Sequence, residues 1–524
     1  MAPGQREFVL ADAAGAGSDV LRALTAADKD NLGWANGGAV RTRRCTWLDT
    51  FDWRLYRAGL TLEQVTGGGQ AVLVLTGRDG TVVATERLPA GGRPSWPRLA
   101  AELPAGPLQA ALEPVTGLRA LSPVARAVSK LAELQALNGD AKTIARLAVD
   151  RVAVTFPARA SLPPRLTLVP VRGYQTQADK VGRAIGGLPG VVAGRDSVLE
   201  AALAAAGGRP GQMPGKPSGI QLVPGMPAAR ALSQILTALL DAIEANVPGT
   251  LRDIDTEFLH DLRVAVRWTR SALKLCGDAL PRGLATQYAP EFRWLGDLTT
   301  PTRDFDVFLL GYPAMAASLV SAEPDELIPF RDHLIRSRAV AYRRLVTGLR
   351  SARFARLCTN WRTALGDVRA VRKITVGQLA DTKITAAHDK ALRGGGRITA
   401  ASPPESLHDL RKRCKELRYL VEMFGSLHDP AQRWQAVREL KALQDCLGEF
   451  QDADVQRAEI RGFAAQMMEQ RAAPAETLLA MGEIAAGLAV AQAKARAQFD
   501  GRFADFAGPA SRRRMAALAR TAAA

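Results

Sequence analysis

Apolar and polar positions follow one rule in the first part of this chain and another in the second. In the first part, "RLAVDRVAVTF" (146–156) and "PRLTLVPVRGY" (164–174) alternate apolar and polar residues, the two-residue period of a half-buried strand. "QAVLVLTGRDGTVVATERL" (70–88) sets two apolar runs around Arg78-Asp79-Gly80 and predicts a hairpin. "SPVARAVSKLAELQAL" (122–137) has helical spacing and predicts a helix. The expected class is α+β with an antiparallel sheet. "GGRPGQMPGKPSGIQLVPGMPAA" (207–229) is too dense in proline and glycine for either element and predicts a linker. From "ARALSQILTALLDAIEANV" (229–247) to about residue 507, nearly every segment has helical period. Breaks are expected at "GYP" (311–313), "SAEPDE" (321–326), "GGGR" (394–397) and "SPPES" (402–406). The expected division is therefore 1–206, a linker at 207–227, and an all-α region at 228–515.

The helical region repeats itself. His260-Asp261-Leu262-Arg263 recurs as His408-Asp409-Leu410-Arg411, an offset of 408 − 260 = 148. At the same offset Arg267 meets Lys415 and Arg270 meets Arg418. "LGDLTTPTRDFDV", from Leu295, meets "LQDCLGEFQDADV", from Leu443, which puts Asp304 and Asp306 on Asp452 and Asp454. "SARFARL" resembles "DGRFADF" at an offset of 500 − 351 = 149. One shared offset for three landmarks argues for a duplicated helical unit, with halves at about 228–392 and 403–515.

At about 100° per residue, His260, Arg263, Arg267, Arg270 and Lys274 fall within an arc of about 80°. Leu262, Val266 and Leu273 lie on the other flank. The second copy repeats the stripe with His408, Arg411, Lys415 and Arg418 and adds Lys412. Solvated helix faces usually mix signs, because like charges at i,i+3 and i,i+4 destabilise. Two stripes of one sign, with no acid among them, point to an anion that neutralises them. Arg336, Arg343 and Arg350, at heptad spacing, form a weaker third stripe. His260 and His408 each open a basic stripe, which favours a site over a lone core histidine.

The formal net charge of +17 agrees with a polyanionic partner, without choosing among nucleic acid, acidic membrane and polyphosphate. The excess is shared: residues 1–215 hold 25 Lys+Arg against 18 Asp+Glu, leaving 44 against 34 for the rest. Nucleic acid is disfavoured. The stripes carry few aromatic rings, with Tyr419 near and Trp268 at an edge, and no helix-turn-helix, RNA-recognition or zinc-finger signature is present. Cys45, Cys276, Cys358, Cys414 and Cys446 are scattered without metal-ligand spacing, which suits core thiols in a reducing cytoplasm. No apolar run approaches the ~18 residues of a membrane span. The opening "MAPGQREFVLADAAGAG" lacks the build of a secretory signal.

On the doubled His-x-Leu-Arg-x3-[Arg/Lys]-x2-Arg and x-Asp-x-Asp-Val patterns, residues 228–515 resemble the CHAD domain. The resemblance implies two related four-helix halves whose basic residues face a groove that takes inorganic polyphosphate. Carried over by position, the ligand-facing residues would be His260, Arg263, Arg267, Arg270, Lys274, His408, Arg411, Lys412, Lys415 and Arg418. Arg303, Arg336 and Arg343 would support them, and Asp304 and Asp452 would orient the bases; Arg303 falls opposite Gln451. The implied place is the cytoplasm, on polyphosphate granules.

"WLDTFDWRLYRAGLTLE" (47–63) resembles the Asp-Thr-x-Asp-x-Arg-Leu segment of the CYTH domain, a triphosphate tunnel metalloenzyme built as an antiparallel β-barrel. That chemistry needs carboxylates to hold Mg²⁺ or Mn²⁺. The family's Glu-x-Glu-x-Lys signature is here Gln5, Glu7 and Val9; Glu63, Gln64 and Val65 follow Leu62; and "PRLTLVPV" carries no acid. The fold is expected to be kept and the metal and catalytic site lost. A metal-dependent triphosphatase is the alternative. Asp49 and Asp52 are expected to serve a turn.

Overall fold

The computed structural model describes residues 6–10, 33–89, 95–194, 196–212, 220–368 and 374–518. The chain forms two compact units, Met1–Met213 and Pro214–Ala524. Gln5 and residues 213–219 of the expected linker lie outside the described residues.

The first unit is an antiparallel sheet. Its strands are β1 (Arg6–Leu10), β2 (Gly33–Asn36), β3 (Arg41–Thr50), β4 (Leu60–Gly67), β5 (Gln70–Gly77), β6 (Val82–Leu88), β7 (Leu121–Leu137), β8 (Thr143–Phe156), β9 (Ala160–Ser161), β10 (Arg165–Pro170) and β11 (Val191–Ala193). The order is β11-β1-β10-β8-β7-β3-β4-β5-β6, with β2 on β7 and β9 on β8. Among the described residues, helices α1 (Arg54–Arg57), α2 (Pro107–Thr116), α3 (Gln175–Gly186) and α4 (Val198–Ala204) accompany it. In β8, Leu147 and Val149 enter one apolar cluster, while Val152 and Val154, of opposite parity, enter another. The expected hairpin is β5–β6. The Asp79 carboxylate accepts from the Thr81 amide (3.0 Å) and hydroxyl (2.7 Å), and Gly80 takes the positive φ of 79° that the turn needs. Asp49 accepts from the amides of Thr50, Leu55 and Tyr56, and Asp52 from the Thr50 hydroxyl and Arg54, so both hold the β3–α1 turn.

The helix expected at 122–137 is instead the long strand β7. Its Ala, Leu, Lys and Glu residues favour helix, but that preference is weak. Strand pairing on both edges overrides it: Ser129 sits opposite Arg43 of β3, and Ala132 opposite Val149 of β8. Burial then follows a period of two at Ala125, Ala127 and Ser129 and again at Leu134 and Ala136.

The second unit is helical: α5 (Ala228–Thr250), α6 (Thr256–Cys276), α7 (Leu284–Ala317), α8 (Ile328–Leu349), α9 (Ala352–Gly366), α10 (Val376–Gly395), α11 (Pro404–Met423), α12 (Pro430–Glu469), α13 (Ala475–Ala507) and α14 (Pro509–Leu518). Helix starts recur along the chain: 376 − 228 = 148, 404 − 256 = 148, 430 − 284 = 146 and 475 − 328 = 147. By this layout α10 stands in the place of α5, although it precedes the residue 403 at which motif spacing starts the second half. One apolar core joins Leu236 and Leu239 of α5 to Leu262 and Val266 of α6 and to Leu410 and Leu417 of α11. Cys276, Cys358, Cys414 and Cys446 are buried in it, and burial pushes the Cys414 thiol up to about 12.

One sequence expectation fails in this unit, and a second feature bears on another without overturning it. The break at "GYP" does not occur, since α7 runs through Pro313 to Ala317. Tyr312 and Met315 pack beside Phe308 and Phe330 in a second apolar cluster, and this packing outweighs the hydrogen bond lost at proline. Secondly, α13 is long and apolar enough, by length and composition, to cross a membrane. Its Ala and Gly residues raise mean hydropathy without forming an apolar run. Its Met481 and Ile484 pack against Ile460 and Met467 of α12.

Close helix contacts set the stability of this unit. A Cβ at Gly249 would lie 2.2 Å from the Phe258 ring, whereas one at Gly462 meets nothing within 4 Å. Gly249→Ala is expected to destabilise the helical unit by about 1–3 kcal/mol through overpacking. Gly462→Ala is expected to stabilise it by about 0.5–1 kcal/mol. Denaturant melts followed by far-ultraviolet circular dichroism should shift in opposite directions; equal shifts would contradict the packing.

Candidate functional site

The apolar face of each repeat helix fixes where its cations go. On α6, Leu259, Leu262, Val266 and Leu273 turn into the core, which leaves Arg267, Arg270 and Lys274 exposed. On α11, Leu407, Leu410, Cys414, Leu417 and Val421 do the same. The two helices touch, and their basic faces meet. Between them runs a groove of about 650 Å³ lined by Arg267, Arg270, Lys274, Lys412 and Lys415, with Arg293 added from α7.

Within the groove, Lys274 Nζ lies 2.6 Å from Glu416 Oε1 and so links α6 to α11. Among the described residues, Arg267, Arg270, Arg293 and Lys415 have no carboxylate in ion-pair contact. Tyr419 forms part of the wall, with the Arg267 guanidinium 5.9 Å from its ring centre and Trp268 tilted against it at 5.7 Å. Burial, and then the neighbouring Arg411 and Arg267, push the Lys415 ammonium down to about 8.

Arg263, Arg411 and Arg418 stand apart from this groove. Arg263 is half-buried and donates to Thr300 Oγ1 (2.7 Å), Thr299 Oγ1 (3.1 Å) and the Gly296 carbonyl (3.4 Å) of α7. Burial lowers its pKa against the opposing pull of Asp304. Arg411 pairs with Asp452 at 2.8 Å. Arg418 faces Glu422 at 3.5 Å, and Lys412 faces Asp409 at 3.3 Å. The stripes are therefore less uncompensated than their helical faces imply, because four of their cations meet acids from other turns or other helices.

The two histidines differ. His408 Nδ1 is 2.7 Å from Gln451 Oε1. His260 is held below the usual imidazole range by burial and then by Arg303, which itself donates to the Thr256 carbonyl at 3.3 Å. Neither histidine lines the groove. Arg336, Arg343 and Arg350 are exposed on α8 and at its end, also away from the groove. Sequence reasoning missed Arg293. The repeat held the signal, because 441 − 293 = 148 and Lys441 is basic too.

The first unit has a cavity of about 920 Å³ whose lining includes Glu7 with Glu63, Asp79, Asp150, Asp196 and Glu200. The sequence segments pointed to Glu7 alone as the surviving acid, and the fold brings in five more. Most of these are already engaged. Asp150 accepts from Arg43 (2.8 Å) and Ser129 (2.5 Å), Glu200 from the Ser197 amide (2.8 Å), and Asp79 from Thr81. Among the described residues no three Asp, Glu, His or Cys side chains converge as metal ligands. These residues do not fit the oxygen cage of a hard divalent ion.

The family model of the CHAD domain matches residues 234–461. The crystal structure of the CHAD domain from the plant Ricinus communis is similar at 22% identity and a TM-score of 0.46, over 56% of this chain and 95% of that one. PptA from Streptomyces chartreusis is similar at 17% identity and a TM-score of 0.43, over 53% and 99%. A putative adenylate cyclase from Bacillus halodurans gives 12% identity and a TM-score of 0.24, over 35% and 86%. No curated protein matches the chain. The matched stretch holds both basic stripes and both Asp-x-Asp motifs, and residues 234–461 of this chain are a CHAD domain.

Proposed function

We propose that this protein binds inorganic polyphosphate, or a polyanion like it, along the groove between α6 and α11. One observation carries the reading: six cations line the groove against one carboxylate, Glu416, which Lys274 already occupies. A phosphate chain supplies closely spaced negative charge along a line, as this row of cations requires. In this reading the helical unit is a pair of four-helix halves with the ligand between their basic faces. Arg263 then braces the groove rather than touching the anion, Arg411 lies beside the groove and not in its wall, and the two histidines stand behind them. The protein works in the cytoplasm, on polyphosphate granules. The first unit is a CYTH-like barrel that has kept its fold and lost its chemistry. Nucleic acid is the weaker partner, because only Tyr419 offers a ring within the groove.

Arg267→Glu combined with Lys412→Glu should weaken polyphosphate binding at least about 100-fold, since each charge-assisted contact contributes roughly 1.5–3 kcal/mol. Helical content should not change. The wild-type affinity should fall steeply with salt. Titrations with polyphosphate, single-stranded DNA and RNA at matched phosphate and salt would decide it; unchanged affinity in the double variant defeats the reading.

Lys415 gives binding a pH signature. On the folded chain it loses its proton near pH 8, and on the unfolded chain near about 10.4. Between those values the unfolded chain holds more protons, so this group's contribution to the stability of the free protein rises with pH. A bound anion keeps the proton on. Affinity is therefore expected to be highest below pH 8, to fall as pH rises through it, and to be accompanied there by proton uptake. Calorimetry in buffers of different ionisation enthalpy measures that uptake, and Lys415→Arg should abolish the inflection.

The cavity acids favour no hydrolytic reading. The protein is expected not to turn over tripolyphosphate or ATP with Mg²⁺ or Mn²⁺, and neither ion should raise the melting temperature by the increment a real site gives. Metal-dependent turnover lost in Glu7→Gln would reverse this conclusion.

A further inference from the structure

The second half of the helical unit carries a pocket of about 540 Å³ beside the groove, walled by α11, α12 and α13. Arg411, Lys415, Arg418, Gln444, Glu449 and Asp452 line it, and Lys415 lines the groove as well. Gln444 is only 7% exposed, yet neither its amide nitrogen nor its amide oxygen has a hydrogen-bond partner among the described residues. The Nε of Arg411 is likewise buried without one, and the Nε of Arg418 makes no hydrogen bond, meeting only the Glu422 carboxylate at 3.5 Å. Buried amides and guanidiniums are normally paired, because leaving them bare forfeits their hydration. Here three such groups line one pocket.

The first half shows what closes such a place. At the offset of 148, Gly448 stands where Thr300 does and Gln444 where Gly296 does (448 − 300 = 444 − 296 = 148). In the first half Thr300 fills the position and its hydroxyl accepts from Arg263, the equivalent of Arg411. Arg270 lies over Gly296, where a Cβ would come within 2.7 Å of its Nη1. In the second half Gln444 takes up that space, and Arg418 turns instead toward Glu422 and Tyr419. With glycine at 448, the room beside Arg411 is left open. The halves thus use one architecture in two ways: one satisfies its arginine with its own threonines, and the other keeps unpaired donors and an unpaired acceptor.

We propose that this side pocket recognises the terminal phosphoryl group of a phosphate chain lying in the groove. The inference rests on the polyphosphate reading above. An internal phosphate of such a chain only accepts hydrogen bonds. A terminal phosphoryl group has a second proton that leaves at about pH 6, as in a phosphate monoester, so at and below that pH it both donates and accepts, and above that pH it carries one more negative charge than an internal phosphate. The pocket matches that pair of roles. Lys415, the two arginine Nε–H groups and the Gln444 amide nitrogen can donate to the oxygens, while the Gln444 amide oxygen and the Glu449 and Asp452 carboxylates can accept from P–OH. Those carboxylates would repel an internal phosphate, which has no proton to offer them. Lys415, on the wall shared with the groove, is where the chain would turn in.

The test compares the full-length protein with Gly448→Thr, which installs the first half's plug, and with Gln444→Met, which keeps the shape and removes both polar atoms. A Cβ at Gly448 would come no nearer than 3.9 Å to Arg411 and 4.0 Å to Asp452, so the threonine fits without displacing the helix. The probes are a short polyphosphate with free ends, the same chain with both ends capped as alkyl phosphoramidates, and a long polyphosphate. At about pH 6, where the terminal P–OH is populated, the wild type should prefer free ends roughly tenfold, the worth of one charge-assisted contact. Both variants should lose that preference and keep their affinity for the long chain. Equal binding of capped and free chains by the wild type, or a preference that survives Gly448→Thr, overturns the pocket assignment while long-chain binding in the groove stands. A wild type that does not bind the long chain overturns the polyphosphate reading and this inference together.

Discussion

Two helix faces of the same charge meet at one seam, and the apolar side of each helix holds them there. Leu262 and Val266 on α6, and Leu410 and Leu417 on α11, enter a single core. Burying a leucine or valine side chain contributes about 1.5–3 kcal/mol, whereas exposed like-charge pairs cost a few tenths each. The core therefore wins, and the cations are brought together despite their repulsion. Lys274 and Glu416 relieve part of it across the seam. The remainder shows at Lys415, whose proton is loosened by burial and by Arg411 and Arg267. A groove whose cations repel one another is a groove that an anion stabilises.

The two stripes recur at one offset, but their contacts differ. Arg303 beside His260 adds a positive charge where Gln451 offers His408 a neutral hydrogen bond. Thr299 and Thr300 accept from Arg263, whereas Asp452 accepts from Nη2 of Arg411. The helix layout keeps its offset across the whole unit while these contacts change, since helix positions answer to the apolar core and the polar contacts to single side chains.

The same distinction decides what could be foreseen from sequence. Helical period and a shared offset located both stripes, because each depends on residues close in the chain. The contacts that sort the stripe residues were not visible, because they come from elsewhere: Gly296 and Thr300 lie on another helix from Arg263, and Glu416 lies on another helix from Lys274. The strand at 122–137 was misjudged for the same reason. Its spacing is helical, and only pairing with β3 and β8 makes it a strand. At "GYP" the local signal was real, yet packing of Tyr312 and Met315 carried the helix through it.

The first unit shows how a cavity can be lined by acids whose oxygens are already engaged. Glu7, Glu63 and Asp150 come from three different strands, and each strand places its side chain by its own register. Asp150 sits beside Arg43 and Ser129, and both donate to it. A carboxylate paired in this way has already replaced its lost hydration, and a cation would have to displace a guanidinium to reach it. Counting acids in the sequence understated the cavity, and counting them around the cavity would overstate its chemistry. What matters is which carboxylates keep a free lone pair on a common point, and Asp150, Glu200 and Asp79 already accept from arginine, serine, threonine and the backbone.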